Sequence, residues 1–65
     1  MRILLNGTEH SLAANRLDEA LEALGYRGAI VATAVNGRFV PTARRATTPL
    51  ADGDHLEVLA PMQGG

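Results

Sequence analysis

The sequence closes on Gly64-Gly65, and a terminal carboxylate carried on two residues without side chains is the group most suited to chemistry in this chain. Glycine lacks a Cβ and reaches backbone angles closed to other residues, so such a tail can thread a narrow channel and present its carboxylate unhindered. An α-carboxyl titrates at about pH 3.3–3.7 and is therefore an anion at neutral pH. A carboxylate held beside ATP in a partner's active site can attack the α-phosphate, giving an acyl-adenylate that a sulfur or nitrogen nucleophile then displaces. The competing reading is a frayed chain end with no chemical role.

The remaining side chains narrow the choice by what they lack. All six basic residues are Arg, so no Lys is available for Schiff-base chemistry or as an internal isopeptide acceptor. The absence of Cys removes disulfides, thiolate metal sites and any side-chain thiol that could carry sulfur. His10 and His55 are the residues of general-base and metal-ligand type, but neither has a second ligand at useful spacing, and both read as surface positions on strands. Asp52 and Asp54 flank Gly53 without the further oxygen ligands of a calcium loop, which reads as a turn. No metal and no bound cofactor are expected, and no catalytic side chain is assigned. If the chain transports an activated group, the terminal carboxyl is the attachment point.

Composition sets the scale of the molecule. Sixty-five residues make one domain with an economical core and no room for a large catalytic cleft. With 46% hydrophobic residues the chain can still fold by packing alone. A net charge of -1, with basic residues scattered apart from Arg44-Arg45, argues against a nucleic-acid surface. Arg44-Arg45 itself reads as a solvated loop or as a contact for acidic groups on a partner. No apolar run reaches signal-peptide or membrane-spanning length, and a cytoplasmic, monomeric protein is the expectation.

The elements that must position the terminus follow from local pattern. Arg2 to Leu5 is apolar, Asn6-Gly7 is a hairpin turn pair, and Thr8 to Leu12 is half polar, which predicts a hairpin whose second strand lies at an edge. Leu17, Ala20, Leu21 and Leu24 recur at i, i+3, i+4 and i+7, predicting an amphipathic helix over 16–24. Asn15 is its expected N-cap, Asp18 lies in the first turn, and Gly25 closes it in a left-handed conformation. Ile30 to Val35 and Phe39-Val40 flank a second turn at Asn36-Gly37, while 42–51 shows little periodicity. His55 to Ala60 alternates as a last strand before Pro61. The order implies an α+β fold, a mixed sheet of four to five strands with one main helix packed on one face. Ile3, Leu5, Leu56 and Val58 then point to the helix, and Leu4 and Leu59 point away. Leu4, Phe39 and Leu59 are candidate partner-interface residues, with Phe39 assignable to either face. The domain is expected over 1–61, followed by a short tail at 62–65.

With these pieces in place the whole chain resembles the ubiquitin-like β-grasp sulfur carriers, and within them the thiamine-biosynthesis sulfur carrier family, ThiS. The resemblance rests on Val35-Asn36-Gly37-Arg38-Phe39-Val40-Pro41, on Asp52-Gly53-Asp54-His55-Leu56-Glu57-Val58-Leu59 and on Pro61-Met62-Gln63-Gly64-Gly65. It implies that Gly65 is adenylated by a ubiquitin-activating-like adenylyltransferase using ATP with Mg, then converted to a thiocarboxylate through a cysteine-based sulfur-relay enzyme. It further implies sulfur donation to thiazole synthase, with Gly64, Gln63 and Met62 lining the tail that enters each partner, and a last strand inside the sheet. On this reading the protein is a co-substrate and not an enzyme. The stretch 42–48 departs from the family pattern in lacking an aromatic residue. Molybdopterin-pathway carriers share the fold and the Gly-Gly end but are usually longer. A carrier for another such pathway, a non-covalent ubiquitin-like binding module and a protein modifier joined to lysines remain the alternatives.

Overall fold

The computed structural model describes residues 1–60, and the expected tail at 62–65 lies outside the described residues. Two Asn-Gly pairs set the architecture. Asn6 and Asn36 adopt φ of 48° and 51°, followed by Gly7 and Gly37 at 85° and 82°. Positive φ at both central residues is the type I′ geometry whose twist matches that of paired strands. The first turn joins β1 (Arg2–Leu5) to β2 (Thr8–Ser11), and the second joins β3 (Ala32–Val35) to β4 (Arg38–Val40).

The last strand, β5 (His55–Leu59), unites the two hairpins. It runs parallel to β1, with Leu5 opposite Leu56, and antiparallel to β3, with Ala32 opposite Leu59. The sheet order is β2-β1-β5-β3-β4, so β5 is central and β2 and β4 are edges. This is the expected mixed sheet, with five strands.

One face of the sheet is closed by α1 (Leu17–Ala23). Leu17, Ala20 and Leu21 are its buried residues, and Leu17 and Leu21 join Ile3, Val40, Leu56 and Val58 in the core. Ala14, Ala20 and Leu50 form a smaller cluster beside it. The helix ends as its Gly25 predicts. Gly25 takes φ of 91°, its N–H donates to the Glu22 carbonyl at 3.1 Å, and the Tyr26 N–H donates to the Leu21 carbonyl at 2.9 Å. These are the two bonds that satisfy the last carbonyls of a helix closed by a left-handed residue.

Several boundaries differ from the sequence expectation. The helix begins at Leu17, and its N-cap is Arg16 rather than Asn15. The Glu19 carboxylate accepts both the Asn15 and Arg16 backbone N–H groups, at 2.9 and 3.1 Å, while the Asn15 carbonyl accepts from Leu50. Asn15 thus belongs to the incoming loop, and the helix starts one residue later. The strand expected from Ile30 begins only at Ala32. The stretch at 42–51 contains a 3-10 helix, Thr42–Thr47. Its i to i+3 repeat does not leave the 3.6-residue trace of an α-helix.

Arg45 is likewise not a solvated loop residue. Its Nε donates to Thr33 Oγ1 at 3.1 Å and its Nη2 to the Val31 carbonyl at 2.6 Å. Thr33 is buried, 1% exposed, and its hydroxyl donates to the Val40 carbonyl at 2.8 Å. Arg45 therefore completes a polar site beneath the sheet, where an unpaired group would be costly. His10 is also not fully at the surface. It stands opposite Ile3 on the helix side of the edge strand and is half-buried.

Candidate functional site: the open face and the strand leading to the terminus

Period-two alternation along β5 divides its side chains. Leu56 and Val58 enter the core, while His55, Glu57 and Leu59 emerge on the uncovered face. The ladder extends this face outward: Glu57 stands opposite Ala34, and Ala34 opposite Phe39. Because Val40 and Thr33 are buried, Phe39 belongs to the open face, which settles its parity.

Phe39 and Leu59 are 69% and 64% exposed and line one shallow depression with Ala32, Ala34 and Glu57. The two Ala residues leave its floor low between the larger side chains. Leu4 shares the face but not the depression. It pairs with Glu9 on one side and His55 on the other, at the opposite end of β5 from Leu59, and is half-buried. The structure thus brings Phe39 and Leu59 together and leaves Leu4 apart.

Sequence reasoning missed Ile30. It is 82% exposed and, with Val31, Ala32, Leu59 and Ala60, lines a second depression of about 260 Å³ where β5 ends. A β-branched residue opening an apolar run reads as a strand residue. The signal that separates it is the preceding Gly28-Ala29, where Gly28 takes φ of 75° and the Ala29 N–H donates to the Tyr26 carbonyl. Ile30 thereby falls outside the ladder.

The face carries acidic groups among its apolar ones. Glu9 pairs with Arg2 at 3.6 Å, while Glu57 has no ion-pair partner among the described residues. Asp52 and Asp54 serve the turn before β5. Asp52 Oδ1 accepts the Arg2 N–H at 2.6 Å, and Asp54 accepts from the Ala51 N–H and from Asn36 Nδ2 at 2.8 and 3.0 Å. Among the described residues no three His, Asp or Glu side chains gather as metal ligands, and no helix is long and apolar enough to cross a membrane.

Gly65, Gly64, Gln63 and Met62 lie outside the described residues. Among the described residues, Ala60 follows the central strand and lines the Ile30 depression, and Leu59 before it lines both that depression and the one bordered by Phe39.

A mixed five-stranded sheet with an α-helix on one face, its last strand central and parallel to the first, is the ubiquitin-like β-grasp architecture. The ThiS family model matches residues 3–65, and the chain belongs to that family. The chain is also similar to a crystal structure of the thiamine biosynthesis protein (ThiS) from Geobacter metallireducens, with a TM-score of 0.84 and 29% identity over 100% of both chains. No curated protein sequence matches it.

Proposed function

We propose that the protein is a sulfur carrier for thiamine biosynthesis, a co-substrate whose partners supply the active sites. The observation that carries this reading is the family match over residues 3–65, which includes the Gly64-Gly65 end, on a fold whose central strand is its last. The likeness to a thiamine biosynthesis protein over the full length of both chains adds the pathway.

The chemistry follows from the carboxylate. A Gly65 carboxylate oxygen attacks the α-phosphate of ATP in a ubiquitin-activating-like adenylyltransferase, and pyrophosphate leaves. Mg in that partner would offset the phosphate charge. The outer sulfur of a persulfide on the cysteine-based relay then displaces AMP to give an acyl disulfide. A second thiol attacks the relay cysteine's sulfur, forming a disulfide there and releasing the Gly65 thiocarboxylate. Thiazole synthase takes the sulfur from it. Gly64 permits the extended approach, Gln63 and Met62 line the channel entrance, and the Phe39 and Leu59 face docks the body of the domain.

The experiment is the intact mass of the chain after incubation with ATP, the adenylyltransferase and a sulfur source. The expected product is heavier by the replacement of one oxygen by sulfur, localised to Gly65 by fragmentation. Deleting Gly65, or adding one residue after it, should abolish activation with the thermal melt unchanged. An unmodified wild-type chain, beside a known carrier that the same mixture activates, would shift the assignment to a binding module. Discovery of the chain's mass added to lysines of other proteins would shift it to a modifier.

A further inference from the structure

Pairing between β1 and β5 ends at Leu5 opposite Leu56, because the chain turns away at Asn6. The contact with β5 nevertheless continues. The Asn6 N–H donates to the Leu56 carbonyl at 2.9 Å. Beyond it the side chain takes over: Asn6 Nδ2 donates to the Val58 carbonyl at 3.1 Å, and the Val58 N–H donates to Asn6 Oδ1 at 3.0 Å. A carboxamide has the donor and acceptor of a peptide group. Asn6 therefore supplies one further rung of ladder where the β1 backbone has left the sheet.

The other flank of the same stretch is held independently. Leu59 pairs with Ala32 of β3, and the preceding Val31 carbonyl accepts the Arg45 guanidinium. Of the last rungs before Ala60, Val58 is thus held on the β1 side by a single side chain, while Leu59 is held by β3.

Turn chemistry does not demand this. Gly tolerates the same positive φ, so an Asn6→Gly chain can make the hairpin without the rung. Asn36 provides the internal contrast. It occupies the matching place in the second hairpin, yet its carboxamide grips the start of β5, accepting the His55 N–H at 3.0 Å and donating to Asp54.

We infer that Asn6 is a positioning residue for the carrier reaction: its carboxamide fixes the end of β5 and hence the approach of the Gly-Gly segment to the adenylyltransferase. This rests on the sulfur-carrier reading. Asn6 touches no reacting atom, and the docking face is made by other side chains. The effect therefore falls on turnover within the docked complex more than on docking.

The test compares wild type, Asn6→Gly and Asn36→Gly in pyrophosphate release by the adenylyltransferase, with ATP saturating and the carrier concentration varied. Displacement of a reacting group by about 1 Å can cost up to about 100-fold, and with five residues intervening the expected loss in kcat for Asn6→Gly is about 10-fold. KM should stay within about threefold, and Asn36→Gly should leave kcat within about twofold, because the bonds it removes lie at the far end of the strand. Amide exchange at Val58 should quicken in Asn6→Gly and not in Asn36→Gly. If Asn6→Gly does not fold, Asn6→Asp should show the same split, since it keeps the acceptor for the Val58 N–H but opposes a carboxylate oxygen to the Val58 carbonyl. Wild-type kcat in the Asn6 variant, or an equal loss in Asn36→Gly, would overturn the inference. A wild-type chain that releases no pyrophosphate would overturn the carrier reading itself and the positioning role with it.

Discussion

The two faces of the sheet are built from the same strands and differ in almost every physical respect. Toward α1 stand Ile3, Leu56 and Val58, all buried, with the buried Thr33 hydroxyl satisfied at both ends. Away from it stand Phe39 and Leu59, largely exposed, over a floor of Ala32 and Ala34 with Glu57 beside them. Among the described residues there is one α-helix to cover one face, so stability is concentrated on that side and the other is left available to a partner. The difference teaches that substitutions one residue apart on β5 should act on different quantities.

The most severe way to probe the contrast is on the covered side. Leu56 is wholly buried at the centre of the sheet, and Leu-to-Ala changes in such places cost about 2–5 kcal/mol. A domain of this size has a total stability of only about 3–10 kcal/mol, so Leu56→Ala should remove about half of it and shift the urea midpoint to a much lower concentration. A midpoint close to wild type would mean that α1 can collapse into the space.

The open face should behave in the opposite way. Phe39→Ala and Leu59→Ala remove side chains that remain mostly in water, and surface changes of this kind stay within about 0.5 kcal/mol of wild-type stability. Docking should suffer instead. A minority of interface residues dominates binding, each costing more than about 1 kcal/mol when truncated. As the large exposed apolar side chains of this face, Phe39 and Leu59 are expected to be among them, each variant binding the adenylyltransferase roughly 10-fold more weakly by calorimetry. Leu4→Ala, at the other end of β5, should weaken it less. If Leu4→Ala proved the worst of the three, the footprint would centre on β1 and not on the Phe39 depression.

A subtler probe is polar. Thr33→Val keeps the shape but strands the Arg45 Nε and takes the hydroxyl donor from the Val40 carbonyl, at a cost of about 1–2 kcal/mol in thermal unfolding. Removing the partner as well, in Thr33→Val with Arg45→Met, should cost less than the two single changes added together. Additivity would mean that the two residues act independently.

The covered face was legible in the sequence because periodicity records burial. The repeat from Leu17 to Leu24 and the alternation through Leu56 and Val58 each state which side is apolar, and Asn-Gly states a turn whose geometry few other pairs adopt. The open face was legible only by subtraction, and the position of Phe39 depended on a register that the turn at Asn36-Gly37 had to fix first. The 3-10 helix left no period to read. Arg45 was invisible as a structural residue because its partners, Thr33 and Val31, lie 12 and 14 residues away. Asn6 was harder still. Its local role explains it completely, and its second role joins it to Val58 at a separation of 52 residues.

The smallest expected effect lies at the helix start, away from both faces, and it separates packing from charge. Arg16 Nε donates to Asp18 Oδ1 at 2.9 Å, and this bond, supported by the Glu19 N–H, holds the Asp18 carboxyl below its ordinary value of 3.8 despite an opposing cost of desolvation. A carboxyl whose pKa is depressed in the folded state binds its proton more readily when unfolded. Its contribution is therefore present above about pH 3.8 and is lost as pH falls through the lower folded value. Asp18→Asn should lower the melting temperature slightly at neutral pH, with the gap to wild type closing below about pH 4, since an amide cannot titrate. The pair is largely open to solvent, so added salt should shrink the gap at neutral pH as well. Persistence of the full gap in acid would show that the substituted amide fails to accept the Glu19 N–H, and that geometry rather than charge is what Asp18 contributes to the helix that closes the covered face.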